Sequence, residues 1–147
     1  MDYQALNSGE NRYHFTADWG GSRIGFTEIS GLDIEIEAVI TRDGSSPVDS
    51  GRKIPGIRKF SNIILKRGIA KNDNDFFNWI NTKSIGNIER RNITIKLLNE
   101  DHEPIFIWMV KNAFPVKYSG PILISNDSEI ALETLELTHE GLTVTTP

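Results

Sequence analysis

The strongest structural signal in the sequence lies at residues 34–41, which read IEIEAVIT. Ile34, Ile36, Ala38 and Ile40 fall on one side of an extended chain, and the residues between them are mostly polar. Alternation with a period of two is typical of a β-strand that has one face in a core and the other in water. The stretch therefore predicts a half-buried strand.

Similar runs on either side of this strand predict a mainly β protein. Runs with strand character lie at residues 13–19, 24–29, 60–67, 92–98, 105–110 and 130–139. Together with 34–41, this gives roughly seven or eight strands separated by turns, which favours a barrel or a sandwich. The length of 147 residues fits a single domain, 1–147.

One segment has helical spacing. Phe76, Phe77 and Ile80 follow the polar run Asn-Asp-Asn-Asp at 72–75. Asn and Asp at a helix start accept hydrogen bonds from the free amide groups of the first turn. We therefore expect one short amphipathic helix over 73–84.

Two strands break the simple alternation. Residues 105–110 are apolar on both faces, which a sheet wetted on one side does not favour. A helix, a second sheet or a neighbouring subunit is expected to cover the second face. In 130–139 the apolar phase moves by one residue between Leu132 and Leu135, which predicts a β-bulge.

The segment 42–59 loses hydrophobic periodicity and is rich in glycine, proline and serine. It predicts a long loop or a loose hairpin, and long irregular segments in compact domains usually have a function. Ile54, Ile57 and Phe60 are apolar and are either anchors for a partner surface or contacts to their own domain. The nearby Arg and Lys residues, among them Lys59, are most simply a solvated face.

Composition excludes several kinds of chemistry. The chain has no cysteine, so disulfides, thiolate metal sites and cysteine catalysis are excluded. His14, His102 and His139 lack metal-ligand spacing, and phosphate-loop and nucleophile-elbow patterns are absent. We therefore expect no catalytic residue, cofactor or metal. No apolar run approaches the roughly 18 residues of a spanning helix and no secretion signal is visible, so we expect no stable membrane insertion.

Several segments together resemble one family. They are Tyr13 to Phe15, Trp19 to Gly21, Phe26 to Leu32, Pro55-Gly56, Phe60 to Gly68, Glu89 to Arg91, Trp108 to Pro115 and Glu133 to Leu142. In this order they resemble the tail tube proteins of contractile phage tails, including the tube subunits of extracellular contractile injection systems. The resemblance implies a small β-barrel or sandwich with one flanking α-helix, similar to the type VI secretion tube protein.

The resemblance also implies a non-enzymatic structural function. Subunits of this kind form hexameric rings that stack as the inner tube and conduct DNA or effector cargo. The implied partners are other copies of the chain, the sheath protein, baseplate or spike proteins, tube terminators, and the cargo protein or DNA. The implied location is the bacterial cytoplasm during assembly, and then a virion tail or an injection particle that is extracellular or cell-anchored.

Two sets of site residues follow as expectations. The family's long loop contacts the next ring, which assigns the following residues to that contact: Arg42, Asp43, Arg52, Lys53, Ile54, Ile57 and Arg58. Polar strand faces are expected to line either the channel or the exterior: Asp33, Glu35, Glu37, Thr94 and Lys96.

Three alternative functions stay open. The first is a tube-initiator or baseplate-end paralogue of the same family. The second is a sandwich module that binds a ligand through Trp19 or Trp108. The third is a small hydrolase, for which the sequence offers no constellation of catalytic residues.

Overall fold

The computed structural model describes residues 14–41, 51–126 and 130–147. The strands in these ranges are β1 (His14–Asp18), β2 (Glu28–Ser30), β3 (Ile34–Thr41), β4 (Arg52–Phe60), β5 (Ile63–Gly68), β6 (Arg91–Leu98), β7 (Pro104–Ser119), β8 (Leu132–Thr138) and β9 (Gly141–Thr145). The described ranges contain one α-helix, α1 (Asp75–Ile80), which continues into a 3-10 helix, Asn81–Ile85. The predicted helical range 73–84 contains all of α1 and all but the last residue of the 3-10 helix.

Seven strands form one antiparallel sheet in the order β1-β6-β7-β8-β5-β2, with β9 also beside β7. The long strand β7 pairs with β6 and β9 in its first half and with β8 in its second half. A bridge between Thr16 and Gly25 brings β1 next to the segment that leads into β2. The two ends of the sheet therefore meet, and the sheet curls into a small barrel.

The core lies inside this curled sheet, with α1 packed over it. Phe76 and Trp79 of α1 are fully buried and contact Trp19, at ring-centroid distances of 5.0 and 5.9 Å. Each buried aromatic or branched side chain contributes about 1.5–3 kcal/mol through removal from water. The predicted mainly β fold with one flanking helix is confirmed.

The β3–β4 hairpin differs from the prediction. It forms a separate two-stranded sheet, and every residue of β3 is exposed, with Ile36 at 55% and Ile40 at 60%. The predicted half-buried face of 34–41 is therefore wrong within this chain. Residues 52–59 belong to β4, so the long-loop interpretation is wrong there and the hairpin interpretation is right. Residues 42–50 lie outside the described residues.

The predicted bulge in 130–139 is also wrong. Strand β8 pairs with β5 without a shift, from Leu137 opposite Ile63 to Leu132 opposite Gly68. The apolar pattern shifts by one residue in the sequence because Glu133, a charged residue, takes an inward position of β8 and is buried. A register shift occurs instead in β7, between Pro115 and Lys117.

Candidate assembly surfaces

A β-bulge shapes the hairpin. Ile36 lies opposite Arg58 and Ala38 opposite Pro55, so two residues of β4 oppose the single residue Glu37. One of the two is Gly56, where a Cβ atom would lie 2.7 Å from the carbonyl oxygen of Glu37. Only glycine fits this position without displacing backbone, and a glycine in a strand often marks such a bulge. The turn formers that suggested a loop therefore build a strand irregularity.

One face of the hairpin is mainly apolar. We define the hairpin apolar face by the cross-strand pairs Ile34/Phe60, Ile36/Arg58, Ala38/Pro55 and Ile40/Lys53. The opposite face carries Glu35, Glu37 and Lys59, and Lys59 forms an exposed ion pair with Glu37 at 3.3 Å. An exposed pair of this kind contributes only about 0–1 kcal/mol, so the hairpin is held mainly by its backbone ladder.

The predicted ring-contact residues divide between these faces. Arg52, Lys53, Ile54, Ile57 and Arg58 all lie exposed on β4, with Ile57 at 77%. Lys53 and Arg58 border the hairpin apolar face, whereas Arg52 and Ile54 pair with residues on the other side. The two remaining members of the set, at positions 42 and 43, lie outside the described residues.

The predicted polar walls do not form one surface. Asp33, Glu35 and Glu37 belong to the hairpin or to the residue before it. Thr94 and Lys96 belong to β6 in the barrel, where both are half-buried. The predicted wall residues therefore fall into two groups on different sheets: Glu35 and Glu37 lie on the hairpin, and Thr94 and Lys96 lie on the barrel.

Beside Thr94 and Lys96, the outward side of β7 carries apolar residues. Val110 points into the core and is buried, whereas Ile105 and Met109 are 37% and 43% exposed. Thr94 lies beside Met109 in the β6–β7 ladder, so the polar and apolar residues share this barrel surface. The doubly apolar character of 105–110 thus leaves apolar area in contact with water.

Strand β9 presents a free edge. It pairs with β7 from Gly141 to Thr145, and no other strand of the described chain pairs with it. The edge therefore exposes unpaired N–H and C=O groups. Its residues, GLTVT, include neither the lysine nor the proline with which proteins commonly block such an edge.

A second exposed apolar surface lies between β7 and β8. We define the apolar end segment as residues 121–124 together with Ile130. Its exposed members are Ile122 and Leu123 at 87%, Ile130 at 80% and Ile124 at 61%. Sequence reasoning missed it, although the run Pro-Ile-Leu-Ile next to a polar turn is a visible signal.

A buried charge network links the barrel to α1. Arg67 donates from Nε to Glu133 at 2.8 Å and from Nη2 to Asp73 at 3.3 Å. Its guanidinium lies 3.9 Å from the ring centroid of Phe76. Tyr118 donates its hydroxyl hydrogen to Glu133 at 3.0 Å. The network therefore fixes α1 against β5 and β8.

The ionisation of this network follows from its contacts. Burial raises the pKa of Asp73, but the hydrogen bond from Arg23, the amide of Asp75 and the charge of Arg67 outweigh it, so the pKa is lowered. Burial, with the adjacent carboxylate of Glu133, raises the pKa of Tyr118. The carboxylates of Asp73 and Glu133 each accept hydrogen bonds from a cationic side chain or another donor, as expected for a structural network.

Within 14–41, 51–126 and 130–147, no three His, Asp or Glu side chains gather at a distance that could hold a metal ion. In the same ranges, no helix has the length and apolar character needed to cross a bilayer.

Comparisons with known proteins agree with this architecture. The profile of the T4-like virus tail tube protein gp19 family matches residues 11–143. A chain in the anti-feeding prophage tube-terminating cap is 32% identical, covering 93% of this chain and 91% of that one, with a TM-score of 0.82. A chain in the extended sheath–tube complex of the PVC extracellular contractile injection system is 27% identical, covering 100% and 99%, with a TM-score of 0.83.

A more distant structure agrees in fold alone. Hcp1 from Flavobacterium johnsoniae is 16% identical, covers 91% of this chain and 96% of its own, and has a TM-score of 0.60. Comparison with curated proteins gives no match. The family profile spans nearly the whole described barrel and hairpin, and the chain therefore belongs to the T4-like virus tail tube protein gp19 family, a structural and non-enzymatic family of contractile tails and injection systems.

Proposed function

We propose that residues 1–147 act as one tube domain, and that six copies close into rings that stack as the inner tube of a contractile phage tail or injection system. The tube is a conduit for DNA or effector cargo. The observation that carries this proposal is the combination of an unblocked β9 edge with a hairpin that contributes nothing to the barrel core. Both features are liabilities in a monomer and useful in an assembly.

Ring closure uses edge pairing. The backbone groups of β9 accept a strand from a neighbouring copy, which extends the sheet across the subunit boundary. A repeated head-to-tail contact between two different surfaces gives a closed ring when its rotation closes.

Stacking uses the hairpin. Strands β3 and β4 leave the barrel as an independent two-stranded sheet and expose aliphatic residues on both of their faces. The segment 42–59 contacts the next ring, and it comprises the chain between the two strands and all but the last residue of β4. The exposed side chains of Ile54 and Ile57 lose contact with water in that contact.

The barrel surface near Thr94 and Lys96 and the hairpin face that carries Glu35, Glu37 and Lys59 are assigned to different walls of the tube. They belong to different sheets, and so one cannot continue the other within a subunit. We assign the pair on β6 to the wall formed by the continuous sheet, and the acids to the region between rings.

The proposed partners are the sheath, the baseplate or spike, the tube terminator and the cargo. Support comes from similar chains in a sheath–tube complex, in a sheath/tube terminator at 30% identity and in a baseplate at 21% identity. The proposed location is a phage tail or an injection particle, extracellular or cell-anchored, after assembly in the bacterial cytoplasm.

A paralogue at one end of the tube is the second candidate. It is favoured by the identity to a chain of the tube-terminating cap structure, which exceeds the identity to the sheath–tube chain. The main tube subunit is favoured by the nearly complete mutual coverage with the sheath–tube chain. Copy number in the parent particle separates the two, because a tube subunit is present in many rings and an end protein in one.

A ligand-binding module is disfavoured. Trp19 is fully buried against Phe76 and Trp79, and its indole nitrogen donates to the carbonyl of Arg23 at 2.7 Å. Trp19 is therefore closed to a ligand, and Trp108 already packs on the core and on Phe106.

Electron microscopy of the purified full-length chain tests the proposed function. We expect rings with six-fold symmetry at low concentration and tubes with a regular axial repeat at high concentration. Particles that stay monomeric at every concentration and salt, together with a parent particle lacking this chain in its tube, would contradict the proposal.

A further inference from the structure

The apolar end segment is unusual for a protein surface. Ile122, Leu123 and Ile124 are consecutive, and each is more than half exposed. Single exposed apolar residues are common, but a contiguous group of large aliphatic side chains usually marks an interaction surface. The same segment lines a shallow cavity of about 600 Å³ with Ile130, Ala131 and Leu132. It is therefore a surface with both the chemistry and the shape to receive an aliphatic partner.

The location of this segment relative to the hairpin is defined by β5. The hairpin joins β5 at its first residue, because β4 ends at Phe60 and β5 begins at Ile63. The end segment lies at the last residue of β5, where Gly68 pairs with Leu132. The amide of Ile69 also donates to the carbonyl of Ala131 at 3.0 Å. The base of the hairpin and the apolar end segment are thus at opposite ends of the same barrel strand.

The presence of two exposed apolar surfaces on each chain favours a second copy of the same chain as the partner. Both apolar surfaces are exposed in the single copy, so neither covers the other. A head-to-tail repeat covers both in every copy except the terminal ones. The aliphatic side chains of Ile34, Ile36 and Ile40 match those of the end segment in character, and the stems of Lys53 and Arg58 can lie along its margin with their charges in water.

We propose that the hairpin apolar face of one copy docks on the apolar end segment of a copy in the next ring. The proposal rests on the proposed function, since it needs stacked rings. It names the receiving surface of the stacking contact and gives the tube its polarity. A sheath subunit or an unrelated apolar ligand on the end segment are the competing occupants.

The first test replaces Leu123 by aspartate. A carboxylate must lose its water to enter an apolar contact, so the concentration needed for tube growth should rise about tenfold or more. Rings should form as in the wild-type chain. The matched control is Ile85→Asp, since Ile85 is equally exposed at 88% but lies in the 3-10 helix. This control should leave tube growth unchanged, and circular dichroism should show both variants folded.

The second test uses the absence of cysteine in the chain. Ile36→Cys and Leu123→Cys are prepared separately, mixed before assembly and oxidised. A covalent dimer should form in the mixture and fall to background when either variant is oxidised alone or when Ile85→Cys replaces Leu123→Cys.

The outcomes separate the two proposals. Loss of both rings and tubes in folded Leu123→Asp would assign the segment to ring closure and overturn the docking inference. Normal Leu123→Asp tubes without the mixed dimer would also overturn it, and would point to the sheath or another ligand while leaving the proposed function intact. Failure of the wild-type chain to assemble at all would overturn the proposed function and this inference together.

Discussion

Arg67 and Glu133 are cross-strand partners on β5 and β8, and their side chains meet inside the barrel with the Nε–Oε1 distance of 2.8 Å. Their relative exposures are 1% and 3%. Burial of two charges is costly, so the pair adds less to stability than its Coulomb energy suggests. Removal of one partner costs more, because the other charge then stays buried with fewer partners: Arg67 would keep Asp73, and Glu133 would keep Tyr118.

The first prediction concerns this pair. Glu133→Leu should lower the free energy of unfolding by about 3 kcal/mol, because Arg67 stays charged and buried and keeps Asp73 as its remaining acidic partner. Urea denaturation followed by tryptophan fluorescence measures the change. The matched control is Glu37→Ala, which breaks the exposed pair with Lys59 and should cost about 1 kcal/mol or less. Equal losses in the two variants would contradict the buried-pair account.

The second prediction concerns acid. The pKa of Asp73 is lower in the folded chain than in the unfolded chain, so its contribution to stability is present above the unfolded pKa of about 3.9. That contribution is lost as the pH falls through the folded pKa. The difference in unfolding free energy between the wild-type chain and Asp73→Asn should therefore be full at pH 7 and shrink below about pH 4.

Denaturation curves measured at several pH values test this dependence. Asp101→Asn, in an exposed turn, serves as the control and should change little at pH 7. A difference between wild type and Asp73→Asn that grows on acidification would show that the sign is wrong.

The third prediction concerns the bulge. Gly56→Ala places a methyl group 2.7 Å from the carbonyl oxygen of Glu37, and relief of this overlap should cost about 1–3 kcal/mol. Since the hairpin is not part of the barrel core, rings should survive and tubes should be lost. Gly25→Ala is the control, because its added Cβ would have no neighbour within 4 Å. Intact tubes from Gly56→Ala in electron micrographs would argue against a role for the hairpin in stacking.

The fourth prediction concerns the β9 edge. Backbone amides on the free side of residues 142–145 should exchange with solvent quickly in the monomer and slowly in rings, because a neighbouring strand pairs with them. Hydrogen exchange with mass spectrometry gives this comparison. Amides of β5, which is paired on both sides in each subunit, should be slow in both states. Equal exchange of β9 in both states would mean that another edge closes the ring.

The fold class could be predicted because alternation and helix spacing are local signals. Ala17, Trp19, Ile93 and Ile95 have the periodicity of a core face and are buried. The same rule failed at β3, where Ile36 alternates with Glu35 in the same way but lies in water. Periodicity predicts that one face of a strand is buried. It does not predict whether the residues that bury this face belong to the same chain or to another copy.

The remaining features of the assembly surfaces could not be predicted from the sequence, for identifiable physical reasons. Glu133 breaks the apolar pattern of β8 because its inward charge is paired with Arg67, a partner 66 residues earlier. Pro55 and Gly56 were interpreted as turn residues, since the bulge that needs glycine depends on pairing with Glu37. The apolar end segment lies outside any strand, so no periodic pattern marked it. Each of these features depends on tertiary contacts that are distant in sequence.

The pairing of β1 with β6 also governs the order in which the molecule folds. His14 pairs with Leu98 in this ladder, so the partners are 84 residues apart in the sequence. Thr41 pairs with Arg52 across the hairpin, so these partners are much closer in the sequence. Contacts between distant positions form slowly because a long loop must first be closed. The hairpin should therefore form early and the barrel late. Each chain then passes through an intermediate in which the hairpin is folded and the barrel is not. Crowded, newly made chains at that stage are prone to wrong association, and slow synthesis at low temperature should raise the yield of native subunits.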